Sequence, residues 1–252
     1  MRFKYLLIGL MLCVGLGTMT GCGTNQINEL VNMSTQTERL MRAGTQVERR
    51  KKWKNEYLIT SVEQEQEYSF LDLDAKDVEI VLKKGDQPKY EIFSNHEDVK
   101  TEDFFSIEMK ENGLHIKTRN RDDGSPGWKI VVYVPSPEQM KLNIQSENSV
   151  VEVNSTLNEL NLNSKDSVIS IKGEETFPIH GKINDTVFNM DFQTVNATVS
   201  VDLKYSMVSL PEDEGVITDG PYQDTKVFGN GDSKIDVTAE NSVMIVVDKT
   251  TP

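Results

Sequence analysis

Leu160-Asn161-Leu162-Asn163-Ser164-Lys165-Asp166-Ser167-Val168-Ile169-Ser170-Ile171 reads as two short strands joined by a turn. Apolar and polar side chains alternate on both sides of Lys165-Asp166, the period-two pattern of a half-buried strand. The unit returns along the chain. Its first apolar pair recurs as Leu142/Ile144, Leu160/Leu162, Ile179/Gly181 and Val199/Val201. Its second pair follows a small hydroxyl residue each time: Ser149 before Val151/Val153, Ser167 before Ile169/Ile171, Thr186 before Phe188/Met190, Ser206 before Val208/Leu210. The columns step by 18, 19 and 20 residues. Two strands and two turns fit that length, so the pattern predicts an all-β, single-stranded β-solenoid or β-roll with rungs of about 18–20 residues. Asn148, Asp166 and Asp185, with Tyr205 in the fourth unit, fall at the turns, where Asn and Asp close the bend with their own side chains.

Outside the repeat the β signals continue. Leu71/Leu73, Val78/Ile80/Leu82 and Tyr90/Ile92 alternate with polar residues, and Asn112-Gly113 is a tight-turn dipeptide between Ile107/Met109 and Leu114/Ile116. Residues 57–140 are therefore expected to form β-hairpins ahead of solenoid repeats at 141–247, with a polar tail at 248–252. The run at 128–134 ends at Pro135 and Pro137, which cannot donate to a ladder. An acidic loop from Pro211 to Thr225, with Glu212, Asp213, Glu214, Asp219 and Asp224, is expected to interrupt the repeat, which resumes at Val227, turns through Gly229-Asn230-Gly231-Asp232 and finishes at 243–247.

The N-terminus carries an address. Arg2 and Lys4 precede an apolar run at 6–16 that is short for a membrane span, the layout of an export signal over residues 1–21. Met19-Thr20-Gly21-Cys22 resembles a bacterial lipobox, which implies a diacylated Cys22 (palmitate or a similar acyl chain) as the mature N-terminus and membrane attachment through lipid. Residues 22–56 form an expected polar stalk, ending in Arg49-Arg50-Lys51-Lys52-Trp53-Lys54, a candidate contact for anionic headgroups or wall polymer. Charge is uneven: residues 23–54 hold seven Lys/Arg against three Asp/Glu, and residues 55–252 hold 18 against 37, within a formal net of −13. So acidic a body disfavours nucleic acid as a partner.

Val131-Val132-Tyr133-Val134-Pro135, the strand-turn-strand units, Val208-Ser209-Leu210-Pro211 and Gly229-Asn230-Gly231-Asp232-Ser233-Lys234-Ile235 together resemble the adhesin-like β-solenoid family of bacterial envelope proteins, including LiaG-like proteins associated with envelope stress. The resemblance spans residues 57–247 and implies no catalytic residues and no cofactor. The chain departs from the family's Ser-Gly-Asp turns at Glu147-Asn148-Ser149 and Lys165-Asp166-Ser167.

Catalytic patterns are not found. His96, His115 and His180 lack metal-ligand spacing, and Ser149, Ser167 and Ser206 form a structural column rather than nucleophile elbows. Asp166 and Asp185 read as turn caps, while Gly229-Asn230-Gly231-Asp232 and the Asp213 loop are weak options for calcium. The sequence thus points to a lipid-anchored, extracytoplasmic, noncatalytic binding or scaffold module of a bacterial envelope, with links to stress sensing implied by the resemblance. A surface adhesin and a polysaccharide-active enzyme on a β-helix frame are the alternatives. Envelope protein or wall polymer is the expected partner, on outward residues that differ between rungs, such as Gln145, Lys165, His180 and Lys204.

Overall fold

Six corners of the chain share one backbone conformation. Asp77, Asn148, Asp166, Asp185, Tyr205 and Asn241 all have φ between 47 and 56°, the left-handed region that Asn and Asp visit more readily than other side-chain-bearing residues. Each corner carries the chain from one sheet to the other. The computed structural model describes residues 55–119, 127–211 and 215–250.

In chain order the first strands are β1 (Tyr57–Glu63), β2 (Phe70–Lys76), β3 (Val78–Lys84), β4 (Lys89–Ser94), β5 (Phe105–Lys110), β6 (Gly113–Thr118) and β7 (Trp128–Val134). They are followed by β8 (Lys141–Glu147), β9 (Val150–Asn154), β10 (Glu159–Lys165), β11 (Val168–Glu175), β12 (Ile179–Asn184) and β13 (Val187–Thr194). The last are β14 (Ala197–Lys204), β15 (Met207–Ser209), β16 (Val216–Ile217), β17 (Pro221–Phe228), β18 (Ser233–Glu240) and β19 (Val243–Asp248). One helical turn, α1 (Thr101–Phe104), precedes β5.

Two mixed sheets result. The ten-stranded sheet has the order β1-β4-β7-β3-β9-β11-β13-β19-β15-β16 and the nine-stranded sheet β17-β14-β18-β12-β10-β8-β2-β6-β5. Successive strands of a unit lie at equivalent places in the two sheets, and the units pair in parallel with their neighbours. Antiparallel pairing closes both ends: β4 and then β1 in one sheet and β5 in the other on one side, β16 and β17 on the other.

The inward columns make one core. Leu71, Leu142, Leu160, Ile179, Ile235 and Val199 stack across the nine-stranded sheet, facing Ile80, Val151, Ile169, Phe188, Met244 and Val208 of the other, all buried in a single cluster. At the corners the hydroxyl column is buried too. Ser167 Oγ donates to Lys165 O at 2.7 Å and accepts from Ser149 N at 3.2 Å. Ser242 Oγ donates to Glu240 O at 2.7 Å and accepts from Thr186 N at 3.1 Å. Ser149, Ser167, Ser206 and Ser242 thus close their own corners and accept from an amide of a neighbouring one, while Thr186 closes its corner onto Asn184 O, which is why a small hydroxyl recurs where a buried N–H would otherwise lack a partner.

The fold is all-β with two facing mixed sheets, in the manner of a β-sandwich. This is coarser than the expected solenoid of successive rungs. Spatial order differs from chain order at two places. Val199 and Val201, the fourth column of the repeat, pair with Ile235 and Val237 rather than with Ile179 and Gly181. The last unit, β18/β19, is inserted between β12/β13 and β14/β15. Near the other end β6/β7 lies outside β2/β3. Of the expected hairpins, β5 and β6 do pair through Asn112-Gly113, whereas β2 and β3 pair in parallel with β8 and β9 instead of with each other. The turn at Gly85 leads to β4, which lies against β7. The stretch expected as a loop up to Thr225 instead gives β16, paired with β15, and the start of β17, paired with β14, because edge positions there still need ladder partners.

Candidate functional site: a polar trough on the nine-stranded sheet

The outward positions of the nine-stranded sheet line a trough of about 1230 Å³, built by residues of β2, β6, β8, β10, β12, β14, β17 and β18. Parallel register aligns these positions in files. One file runs His115, Asp72, Asn143, Asn161, His180, Asp236, Ser200, Thr225; the next runs Lys117, Asp74, Gln145, Asn163, Lys182, Thr238, Asp202, Gln223.

The first file is tied side to side. His115 Nδ1 lies 2.9 Å from Asp72 Oδ2, Asn143 Nδ2 donates to Asp72 Oδ1 at 2.5 Å, and Asn161 Nδ2 donates to Asn143 Oδ1 at 2.9 Å. His180 Nδ1 lies 3.4 Å from Asp236 Oδ2, and Thr225 Oγ1 and Ser200 Oγ are 3.3 Å apart. Gly113 helps set the first of these contacts. A Cβ there would lie 2.2 Å from the Phe70 ring, which covers the glycine and meets His115 edge-on with centroids 5.2 Å apart.

The second file is tied only at its ends, by Lys117 Nζ to Asp74 Oδ2 at 2.9 Å and by Gln223 Nε2 donating to Asp202 Oδ2 at 3.1 Å. Between them Gln145, Asn163, Lys182 and Thr238 are exposed. None of the four has a side-chain hydrogen bond or ion pair among the described residues.

The trough carboxylates face donors. Asp236 Oδ2 also takes Lys234 Nζ at 2.8 Å, and Asp224 Oδ2 accepts from Tyr222 Oη at 3.1 Å. Beside the trough Glu159 is held below the usual carboxylate range by Lys141 first and Asn161 second. Among the described residues no group of three or more His, Cys, Asp or Glu is arranged to hold a metal ion.

The residues singled out in the sequence separate accordingly. Gln145 and His180 line the trough; Lys165 and Lys204 sit at strand ends, Lys204 bonded to Glu240 at 2.8 Å. His96 lies in the loop after β4, its N–H donating to Ser94 Oγ. Asp166 and Asp185 are corner residues, and Ser149, Ser167 and Ser206 are the hydroxyl column. The Gly229-Asn230-Gly231-Asp232 bend wraps the Asn196 side chain, whose Oδ1 accepts from Asn230 N at 2.8 Å and Gly231 N at 3.0 Å while Nδ2 donates to Asp232 Oδ2 at 2.6 Å. An amide therefore occupies the inside of that bend. Cys22, the run Arg49, Arg50, Lys51, Lys52, Trp53 and Lys54, and the 212–214 acidic residues lie outside the described residues. Among the described residues no helix is long and apolar enough to cross a membrane.

The His115–Asp72 and His180–Asp236 pairings were not read from the sequence. A matching signal exists, Glu147-Asn148-Ser149 repeated as Glu240-Asn241-Ser242, which marks β18/β19 as a unit of the stack without saying which unit it adjoins.

Fold and trough together define a class: an all-β protein of two facing sheets that presents a long polar face. No protein-family model matches the sequence, and no curated protein matches it. Among solved structures it is similar to a candidate cell adhesion protein of Clostridium sporogenes, over 77% of this chain and 97% of that one, at 12% identity and TM-score 0.36. A candidate adhesin of Parabacteroides merdae aligns over 62% and 71% of the two chains, at 12% identity and TM-score 0.34. A candidate lipid-binding protein of Parabacteroides distasonis aligns over 62% and 66%, at 10% identity and TM-score 0.37. At such identities and scores these likenesses say nothing about what the present chain binds.

Proposed function

We propose that the chain is a lipid-anchored, extracytoplasmic, noncatalytic binding or scaffold module of a bacterial cell envelope. The observation that carries the binding part is the second file of the trough, where exposed polar groups on four adjacent strands stand unengaged beside a file that is already hydrogen-bonded. A face whose polar groups were all satisfied among themselves would have little to offer a ligand. Support for the location comes from the sequence: the short apolar run, the lipobox-like Met19-Thr20-Gly21-Cys22, and a basic stretch before the acidic body. In this reading the stack is solenoidal in kind, each unit giving one strand to each sheet, with the sequential order broken by insertion of the last unit. It serves as a stiff frame held off the membrane by the stalk, with an envelope polymer or envelope protein as partner.

Metabolic labelling with a fatty-acid analogue tests the anchor. The wild-type chain takes label into the membrane fraction and Cys22→Ala does not. Equal labelling of both, or of neither, would overturn the anchored reading.

A further inference from the structure

We propose that the trough binds one extended, uncharged, hydroxyl-rich glycan chain laid across the strands, with Gln145, Asn163, Lys182 and Thr238 as its contact row. The assignment rests on the binding-module reading and names the ligand class for it.

The first ground is division of labour between the two files. Asp72, Asn143 and Asn161 spend their polar atoms on one another. Gln145, Asn163, Lys182 and Thr238, two residues further along each strand, are exposed and have no such engagement among the described residues. Amide side chains offer a donor and an acceptor together, ammonium three donors, and hydroxyl both roles. Sugar hydroxyls, which also donate and accept, suit such a mixed row better than a ligand of one polarity.

The second ground is dimension. Eight strands line the trough, so at about 4.8 Å per strand it runs roughly 34 Å across the sheet. Spread over that length, the 1230 Å³ leaves a section of roughly 36 Å², about one chain wide at that strand spacing. A pyranose ring in an extended chain is close to one strand spacing in length, so successive sugars meet successive strands in step. A peptide strand advances about 3.3 Å per residue and falls out of step with the same row.

The third ground is charge. Asp72, Asp74, Asp202, Asp224 and Asp236 line the trough against Lys117 and Lys182. That balance repels phosphate-rich or carboxylate-rich polymers, since closely spaced like charges cost energy in a partly desolvated groove. The lining holds no Phe, Tyr or Trp among the described residues. Affinity must then accumulate from hydrogen bonds along the chain, which makes it depend on ligand length.

Titration of the full-length chain in detergent with soluble β-1,4-linked oligosaccharides of glucose and of N-acetylglucosamine, two to seven units long, tests this. Affinity for one series is expected to rise with each added sugar and level off near the longest. Gln145→Ala combined with Asn163→Ala should weaken the longest ligand at least tenfold with an unchanged melting temperature. Thr238→Ala alone should weaken it severalfold, and Lys172→Ala, on the other sheet, should leave it unchanged. Absence of binding by both series, affinity independent of length, or equal binding by the double variant each overturns the assignment. Retention of the unlipidated Cys22→Ala chain on an isolated bacterial envelope in spite of such a result would leave the binding-module reading standing. Loss of both signals would remove it as well.

Discussion

A single carboxylate shows how the exposed surface contributes to stability. Glu91 on β4 lies 2.7 Å from Lys89 Nζ and accepts from Tyr133 Oη at 2.8 Å. Chiefly through the Lys89 bond, and then through Tyr133, its carboxyl is held below the usual glutamate range. The folded state therefore favours the carboxylate. Its contribution is present above about pH 4.5, the ordinary glutamate value, and is lost as pH falls through the lower folded value. Glu91→Gln should cost about 1 kcal/mol at pH 7, a modest figure for a partly exposed charged contact. The gap between variant and wild type should close as urea titrations are repeated toward pH 3. A gap that widened on acidification would show that the carboxyl is favoured in its protonated form. At this scale the sequence was informative about corners and much less so about pairs. Asn148, Asp166 and Asp185 announce their turns because few residues accept φ near 50°, but Tyr205 takes the same conformation with no such preference. The His–Asp contacts depend on neighbours across strands, a relation that spacing in one strand does not contain.

At the scale of the strand and its corner, the alternation reading held. Ile169 and Ile171 on β11 are fully buried while Ser170 is half-exposed between them. Ile169→Asp should cost about 3–5 kcal/mol by setting a carboxylate between Val151 and Phe188, its register partners. Ser170→Asp should stay within about 0.5 kcal/mol of wild type, as a substitution on the solvent face does. Denaturation midpoints of the two variants check this; equal losses would mean that the inward column is misassigned. The unit was legible because half-burial imposes period two. What escaped was the membership of β2/β3 in the same parallel stack. Val78 stands where the other units have Ser or Thr, so the hydroxyl marker is missing although Asp77 makes the same corner. Asp77 and Asn148, stacked corner residues, are joined by a hydrogen bond from the Asn148 amide.

At the scale of the whole molecule, order along the chain and order in space part company. β18 pairs with β12 on one side and β14 on the other, and β19 with β13 and β15. The stack therefore stays incomplete until its last residues are in place. A chain ending at Phe228 should show no cooperative melting transition near that of the full protein, because Ile235, Val237, Met244 and Val246 are taken from inside the stack, between β12/β13 and β14/β15, rather than from its end. Calorimetry decides the point: a truncated chain melting within a few degrees of the full one would contradict the insertion. No local signal marks this feature. Ile179, Val199 and Ile235 are equally good members of the column, and the sequence places the first two nearest. The trough inherits the same opacity, since His180 meets Asp236 only through the inserted strand.

The strands that stand at the ends of the stack have a consequence for assembly. A parallel stack left open would present each new copy of the chain with a template for one more layer, and growth would have no natural stopping point. Here the direction reverses at β4, which β1 covers antiparallel as the edge strand, and at β5 on one side, and at β16 and β17 on the other. β16 is only two residues long, and β17 begins with Pro221, which has no backbone N–H to offer. The molecule is in this sense a ruler cut to length: its count of layers is fixed within one chain, and so, on the proposed glycan reading, is the number of positions that its polar face can measure out.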